Sequence, residues 1–190
     1  KIFTIGKDEV RDTLRVPGRV EVDEQRVARI GATVTGRIAQ VHGILGQDVT
    51  RGEVLAKVNS TELAEAQLTF LKALAQVELQ SRAVERAKLL LSADVIGSAE
   101  LQKRENDLFS AQGERLAAQD QLQLLGMSEG AVKELAKRRD INSVMPVTAT
   151  LSGTVIERKV TQGQVVQPAD ALFTVADLSH VWVVAEVPEQ

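Results

Sequence analysis

The chain has 190 residues, 44% of them hydrophobic, and a net charge of −3, enough length for one or two folded domains. Its charge balance argues against broad nucleic-acid binding, which needs clustered Lys and Arg, and zero cysteines exclude disulfides, thiolate nucleophiles and cysteine-ligated zinc. Aromatic content of 3% with no tyrosine favours helices packed by small residues over a large globular core.

Residues 1–30 contain short β-prone runs, KIFTI and VPGRVEV, with Pro17-Gly18 as a turn or strand start. Charged residues alternate with Val and Ile over 19–30, as in a half-exposed strand. Residues 32–58 then recur without a gap as residues 149–175, at a constant offset of 117. Gly36 falls on Gly153, Gly46 on Gly163, Gln47 on Gln164, Val49 on Val166, Leu55 on Leu172 and Val58 on Val175. Each copy is rich in β-branched residues, with glycines where a reversing chain needs positive φ. Two such half-sheets bury little alone and are expected to close on each other as one small β-sandwich.

The first copy ends at Asn59-Ser60-Thr61-Glu62, a helix start in which Asn59 or Ser60 caps free N–H groups and Glu62 faces the positive end of the dipole. No Gly or Pro follows before Gly97. Leu63, Phe70, Val77, Val84 and Leu91 recur every seventh residue, with Ala66, Ala73, Gln80 and Ala87 between them, which predicts a left-handed supercoil with a partner helix. The segment SADVIGS breaks the pattern, with Gly97 as the turn and Ser98 as the next cap. A second helix over about 99–125 has the seam Leu101, Leu108, Ala111, Ala118, Leu122 and Leu125, interrupted by Arg104 and Arg115 and closed by Gly126. Two helices of about 28–30 residues make a rod about 40–45 Å long. Its outer faces, which include Gln67, Gln76, Glu78, Arg82, Glu85, Lys103, Glu105, Gln112 and Gln119, are polar and permit side-by-side packing of copies. Residues 127–145 form a short amphipathic turn of helix and a connector, and the tail DLSHVWVVAEVPEQ reads as one strand leaving the domain.

The pattern G-x-[IV]…G-x-x-V-x-x-G-x-x-L-x-x-[IV], written as two halves, resembles the biotinyl/lipoyl domain. Its interruption by a helical hairpin resembles the periplasmic adaptor (membrane fusion) proteins of RND-type efflux pumps. The segments Leu122, Leu124, Leu125, Gly126, Met127, Ser128 and D-L-S-x-V-W-V-x-A-x-V-x-E over 177–189 are similar to the heavy-metal cation branch. The resemblance implies an α+β fold, a split lipoyl-like β-sandwich interrupted by an antiparallel coiled-coil hairpin. Its expected divisions are 1–30 as strands of an adjacent β-barrel domain, 31–58 and 146–176 as the two lipoyl-like halves, 59–127 as the hairpin, 128–145 as connector, and 177–190 re-entering the barrel domain. It implies a periplasmic adaptor at the inner membrane that joins an inner-membrane transporter to an outer-membrane channel, self-associates into a ring, and serves export of heavy-metal cations. An adaptor of a drug or ABC-type exporter is the alternative within the class; a biotin or lipoate carrier and a generic coiled-coil scaffold are alternatives outside it.

The carrier lysine of true lipoyl domains would fall at about Glu62, and no lysine precedes Lys72, so no covalent cofactor is expected. His42 and His180 have no ligand-spaced partner, and Met127 and Met145 do not cluster in sequence, so no metal site is expected either. No P-loop, G-x-S-x-G, H-E-x-x-H or paired-carboxylate signature is present, so enzyme activity is not expected. Drug-pump adaptors carry at the hairpin tip an Arg, a Leu one turn on and a Ser two turns beyond, which engage the outer channel. Arg86 and Leu90 match; the Ser place falls on Gly97, with Ser98 next to it. The resemblance therefore implies Arg86, Leu90 and Ser98 as channel-contact candidates. The chain lacks an initiator Met and any run of ~20 apolar residues, so it is expected to be an interior fragment whose signal or anchor lies outside it.

Overall fold

The computed structural model describes residues 15–168 and 170–186. The KIFTI run and the last residues of the tail, Glu189 among them, lie outside these. Five strands, β1 (Gly18–Val22), β2 (Val27–Gly31), β3 (Gly36–Val41), β4 (Asp48–Val49) and β5 (Val54–Asn59), precede three helices, α1 (Thr61–Ser92), α2 (Ser98–Leu124) and α3 (Glu129–Arg138). Five more follow: β6 (Val144–Thr148), β7 (Gly153–Arg158), β8 (Val165–Val166), β9 (Ala171–Ala176) and β10 (Val181–Ala185). Strands β2 to β5 recur as β6 to β9, each displaced by the offset of the sequence repeat. The repeat is thus one strand longer than its identities suggest.

That extra strand corrects two expected boundaries. Residues 27–30, expected in a barrel domain, pair with β9 inside the sandwich, and residues 144–145, expected in the connector, pair with β5. Both segments present alternate apolar residues to the core, and a strand whose inward face is apolar is fixed by that burial. Only β1 and β10 remain outside, as an antiparallel ribbon with Val20 opposite Val183.

The two halves do not stack as separate half-sheets. One sheet has the order β2-β9-β7-β4 and the other β6-β5-β3-β8, so each half lends its shortest strand to the other half's sheet. The exchange is reciprocal. The Ile38 amide donates to the Gln164 carbonyl at 2.8 Å, and its counterpart Val155 donates to the Gln47 carbonyl at 2.9 Å. Gly46 donates to Val155 and Gly163 to Ile38 in the same mirrored way. Ile38, Leu55, Val58, Val155, Leu172 and Val175 fill the shared core at 1% exposure or less. Where one half carries Phe173 the other carries Ala56, and the Phe173 ring fits because Gly43 leaves it room.

Gly36 and Gly153 are needed for close approach. A β-carbon on Gly36 would sit 2.3 Å from the Asn59 carbonyl oxygen, and one on Gly153 2.4 Å from that of Ala176. Both obstacles are backbone of a neighbouring strand, so the sheet itself would have to move.

The hairpin leaves from the end of β5 and returns at the start of β6, where Asn59 and Val144 are paired across the sheet. Ser60, fully buried, caps α1 by accepting the Leu63 amide at 3.3 Å. The helices have 32 and 27 residues, about 48 and 40 Å at 1.5 Å per residue. Their seam is tightest near the sandwich, where Leu63, Ala66, Phe70 and Leu122 form a second core with Val132 and Leu135 of α3. Toward the tip only Val84 and Ala87 of α1 and Ala111 of α2 stay buried. Gly126 ends α2 at φ +94 with Met127 donating to Leu122 and Gly126 to Gln123, the paired bonds of a Schellman end. The Thr33 hydroxyl donates to the Leu125 carbonyl at 3.1 Å and ties that end to the sandwich.

Three local expectations are corrected. Gln67 is buried at 3%: its amide oxygen accepts from Asn142 N–H at 2.8 Å and its nitrogen donates to the Asn142 carbonyl at 2.9 Å. A buried amide whose oxygen and nitrogen are both paired with backbone is stable inside, whereas the heptad count alone places it outside. Ser98 does not cap α2; Gly97 is the cap residue, without a side-chain hydrogen bond, and Ser98 is the first helical residue. The tip turn is made by Asp94 at φ +54, whose amide donates to Leu91 while Val95 donates to Leu90. Asp tolerates this region better than most residues, so glycine is not required there.

Gly36→Ala and Gly153→Ala should each destabilise the domain by about 1–3 kcal/mol through overpacking. Gly113→Ala, in exposed helix interior with nothing within 4 Å of the added carbon, should stabilise it by about 0.5–1 kcal/mol. Urea unfolding of the three variants checks both signs. Gln67→Leu should cost about 1–2 kcal/mol by removing both bonds to the Asn142 backbone, with the loss greatest in melts monitored by helix signal.

Candidate functional site

The hairpin is the feature the sandwich is built to present, and its surface carries the candidate site. Arg86 is exposed on the outer side of α1, and Leu90, one turn on, is 43% exposed beside the tip rather than packed in the seam, whose position there is Leu91. Ser98 begins α2 on the far side of the Asp94 turn, exposed. Arg86 and Leu90 thus share a helix face, while Ser98 stands on the other helix. Val95, 66% exposed, adds an apolar residue to the tip.

The hairpin edges carry residues that the heptad pattern did not reveal. Leu68, Leu79 and Leu90 follow one another at eleven-residue intervals, three turns each, as exposed leucines outside the seam of α1. Phe109, Leu116 and Leu124 line the corresponding outer side of α2, with Phe109 78% and Leu124 85% exposed. The Lys88–Glu105 ion pair across the hairpin, 3.9 Å, marks the antiparallel register. In that register Leu68 stands at the height of Leu124, and Leu79 stands between Phe109 and Leu116. The eleven-residue leucine spacing was visible in the sequence. It was masked because the heptad seam accounts for most apolar residues of the same helix.

Glu62 lies exposed in the first turn of α1, so the position of a carrier lysine is helix rather than hairpin loop. His42 is exposed just after β3, and its amide donates to the Leu55 carbonyl; His180 is exposed with its Nδ1 3.0 Å from the Ser179 hydroxyl. Among the described residues no group of three or more His, Cys, Asp or Glu is placed to hold a metal ion. Met127 and Met145, apart in sequence, do come together: both line a cavity of about 600 Å³ between α3, the hairpin base and β6. The Gln67 amide donates to the Met127 sulfur at 3.6 Å, and the Met145 methyl lies against Gly126, so both thioethers are engaged in packing.

Electrostatics near the sandwich are local. The Glu157 carboxyl is held below its ordinary range by hydrogen bonds from Lys159 and from Thr174, and it satisfies the buried Thr174 hydroxyl at 3.0 Å. Glu129 is likewise lowered by its bond to Lys133, one turn along α3. Among the described residues no buried side-chain polar atom lacks a partner. Among the described residues the hairpin surface offers exposed apolar edges.

The chain is 26% identical over 181 residues to the cobalt-zinc-cadmium resistance protein CzcB of Cupriavidus metallidurans, covering 95% of this chain and 33% of that protein. It is 29% identical over 178 residues to the nickel-cobalt-cadmium resistance protein NccB of Alcaligenes xylosoxydans xylosoxydans, covering 94% and 42%. It therefore spans less than half the length of these relatives. The crystal structure of ZneB from Cupriavidus metallidurans superposes with a TM-score of 0.69 at 25% identity, covering 90% of this chain and 68% of that one. The family model described as the CzcB-like, barrel-sandwich hybrid domain matches residues 26–177, from the turn before β2 to the residue after β9. With most of its length inside that match, the chain belongs to the CzcB-like barrel-sandwich hybrid family.

Proposed function

We propose that this chain is the hairpin-bearing part of a periplasmic adaptor that links an inner-membrane RND-type transporter to an outer-membrane channel in an efflux system for heavy-metal cations. The observation that carries this reading is the split sandwich that projects a stiff hairpin with apolar outer edges and a tip bearing Arg86, Leu90 and Ser98. Membership of the CzcB-like family and the cation-resistance names of the relatives support the cargo class. The function is architectural, and no catalysis is assigned to it.

Copies pack side by side, with the Leu68–Leu79–Leu90 edge of one hairpin against the Phe109–Leu116–Leu124 edge of the next. Because the two edges differ, the contact is heterologous, and its repetition makes a ring when the rotation between copies closes on itself. The tip then engages the outer channel, and the β1–β10 ribbon continues into a domain nearer the inner membrane. No helix among the described residues is long and apolar enough to cross a membrane.

Arg86→Glu, on an exposed helix face, should change folding stability by only about 0.5 kcal/mol. It should still weaken channel engagement by about 1–3 kcal/mol per copy and lower cation resistance in cells carrying the full-length adaptor and pump. Phe109→Asp should leave melting unchanged and block self-association in sedimentation. Val84→Asp, in the buried seam, should instead collapse the hairpin by burying an unpaired charge. Full cation resistance with Arg86→Glu removes Arg86 as a contact; full resistance after deletion of the whole tip removes the adaptor role of the hairpin.

A further inference from the structure

The strand exchange that completes the sandwich uses backbone bonds that look the same from either half. Backbone bonds alone would let a first half pair with the first half of another copy as readily as with its own second half. Side chains break that equivalence at two buried repeat positions. Elsewhere the buried residues of the halves match. Ala32 and Ala149, Val49 and Val166, Leu55 and Leu172, and Val58 and Val175 are identical, while Ile30 and Val147, like Ile38 and Val155, differ by one methylene. In contrast Ala56 has Phe173 as its counterpart, and Gly43 has Val160, all four buried.

These two differences are coupled. A β-carbon on Gly43 would lie 2.8 Å from Phe173 Cε1 and 3.4 Å from its Cδ1 and Cζ, so the ring fills the space that a side chain there would need. Both halves pair their strands in one register, since Val41 stands opposite Ala56 as Arg158 stands opposite Phe173. Position 160 is therefore set toward position 56 as position 43 is set toward position 173. The unlike halves match a large residue with a small one on each side: Phe173 with Gly43, and Val160 with Ala56. Two first halves would set Ala56 against Gly43 twice and leave two voids. Two second halves would set Phe173 against Val160 twice and overfill the same places. Voids and overpacking both destabilise a core, and a misfit with the wrong partner discriminates as effectively as a fit with the right one.

We infer that Phe173 with Gly43 and Val160 with Ala56 form a size code by which each half of the sandwich accepts only the unlike half. The code matters most where copies stand close together, because the edges that β4 and β8 complete are then within reach on every neighbour. It directs each chain to close on itself instead of pairing like half with like half between copies. It does so whatever the hairpin binds.

Gly43→Val combined with Phe173→Ala makes both facing pairs Val with Ala, so the halves become equivalent while each site stays filled. Either change alone should lower the urea midpoint of the full chain, one by overfilling and the other by a void, and the double variant should recover most of the loss. Like pairing is read separately. Arg37 stands opposite Val165 and Asp48 opposite Thr154, so in a pair of first halves Arg37 of one copy would stand opposite Asp48 of the other. The chain contains no cysteine, and Arg37→Cys with Asp48→Cys therefore reports such pairing as a disulfide-linked dimer. Refolded from urea under oxidising conditions at about 0.1–1 mM, where pairing between copies competes with the tethered halves, the double variant should give at least about fivefold more linked dimer than the parent with the same cysteines. The yield should rise with chain concentration. Ala56→Phe with Val160→Gly makes the halves equivalent in the opposite sense and should behave alike. The code is overturned if Gly43→Val alone leaves the urea midpoint unchanged, if neither double variant recovers it, or if a double variant that recovers it gives no more linked dimer than the parent.

Discussion

The structure depends on a reciprocal pair of backbone bonds, from Ile38 to Gln164 and from Val155 to Gln47. These bonds belong to segments that lie far apart in the chain, and each half uses them to supply the edge that the other half lacks. Strands of two residues, such as β4 and β8, have no stability of their own. Paired against the opposite half they close both sheets and seal a core of Val, Ile and Leu. Gly36 and Gly153 answer a separate constraint within each half, where β5 and β9 approach them too closely for a β-carbon.

Because the halves complete each other, the connection between them is free to be long. The pairing of Asn59 with Val144 brings the ends of the helical insert to neighbouring strands, so the sandwich constrains the insert only at its base. There the hairpin is bound firmly: Ser60 caps the first helix, Thr33 holds the end of the second, and Gln67 clamps the backbone that returns to β6. Away from the base the seam narrows to small and half-buried residues. Rigidity is therefore graded along the rod, highest where it meets the sandwich and lowest at the Asp94 turn.

Much of the architecture was legible in the sequence, because a repeat and a heptad are periodic signals that need no knowledge of partners. Strand exchange was not, since Val49 and Val166 match each other whether each pairs within its own half or across. The first strand of each repeat was missed because VARIG and VMPVT share an alternation but few identities. Gln67 stands outside the heptad seam, and only the position of Asn142 shows why it is inside. Of the candidate site, Arg86, Leu90 and Ser98 came from resemblance, and their exposure could not be read from spacing. The outer edges were present as an eleven-residue leucine interval but were hidden beneath the stronger seven-residue one.

The central claim, that each half is incomplete until the other supplies its edge strand, is tested most directly by cutting the chain at the exposed Gly97 tip and measuring amide exchange. Residues 15–96 and 97–186, prepared separately, should leave the Ile38 and Val155 amides unprotected, and mixing them should restore protection at both. Strong protection of either amide in a half measured alone would contradict it.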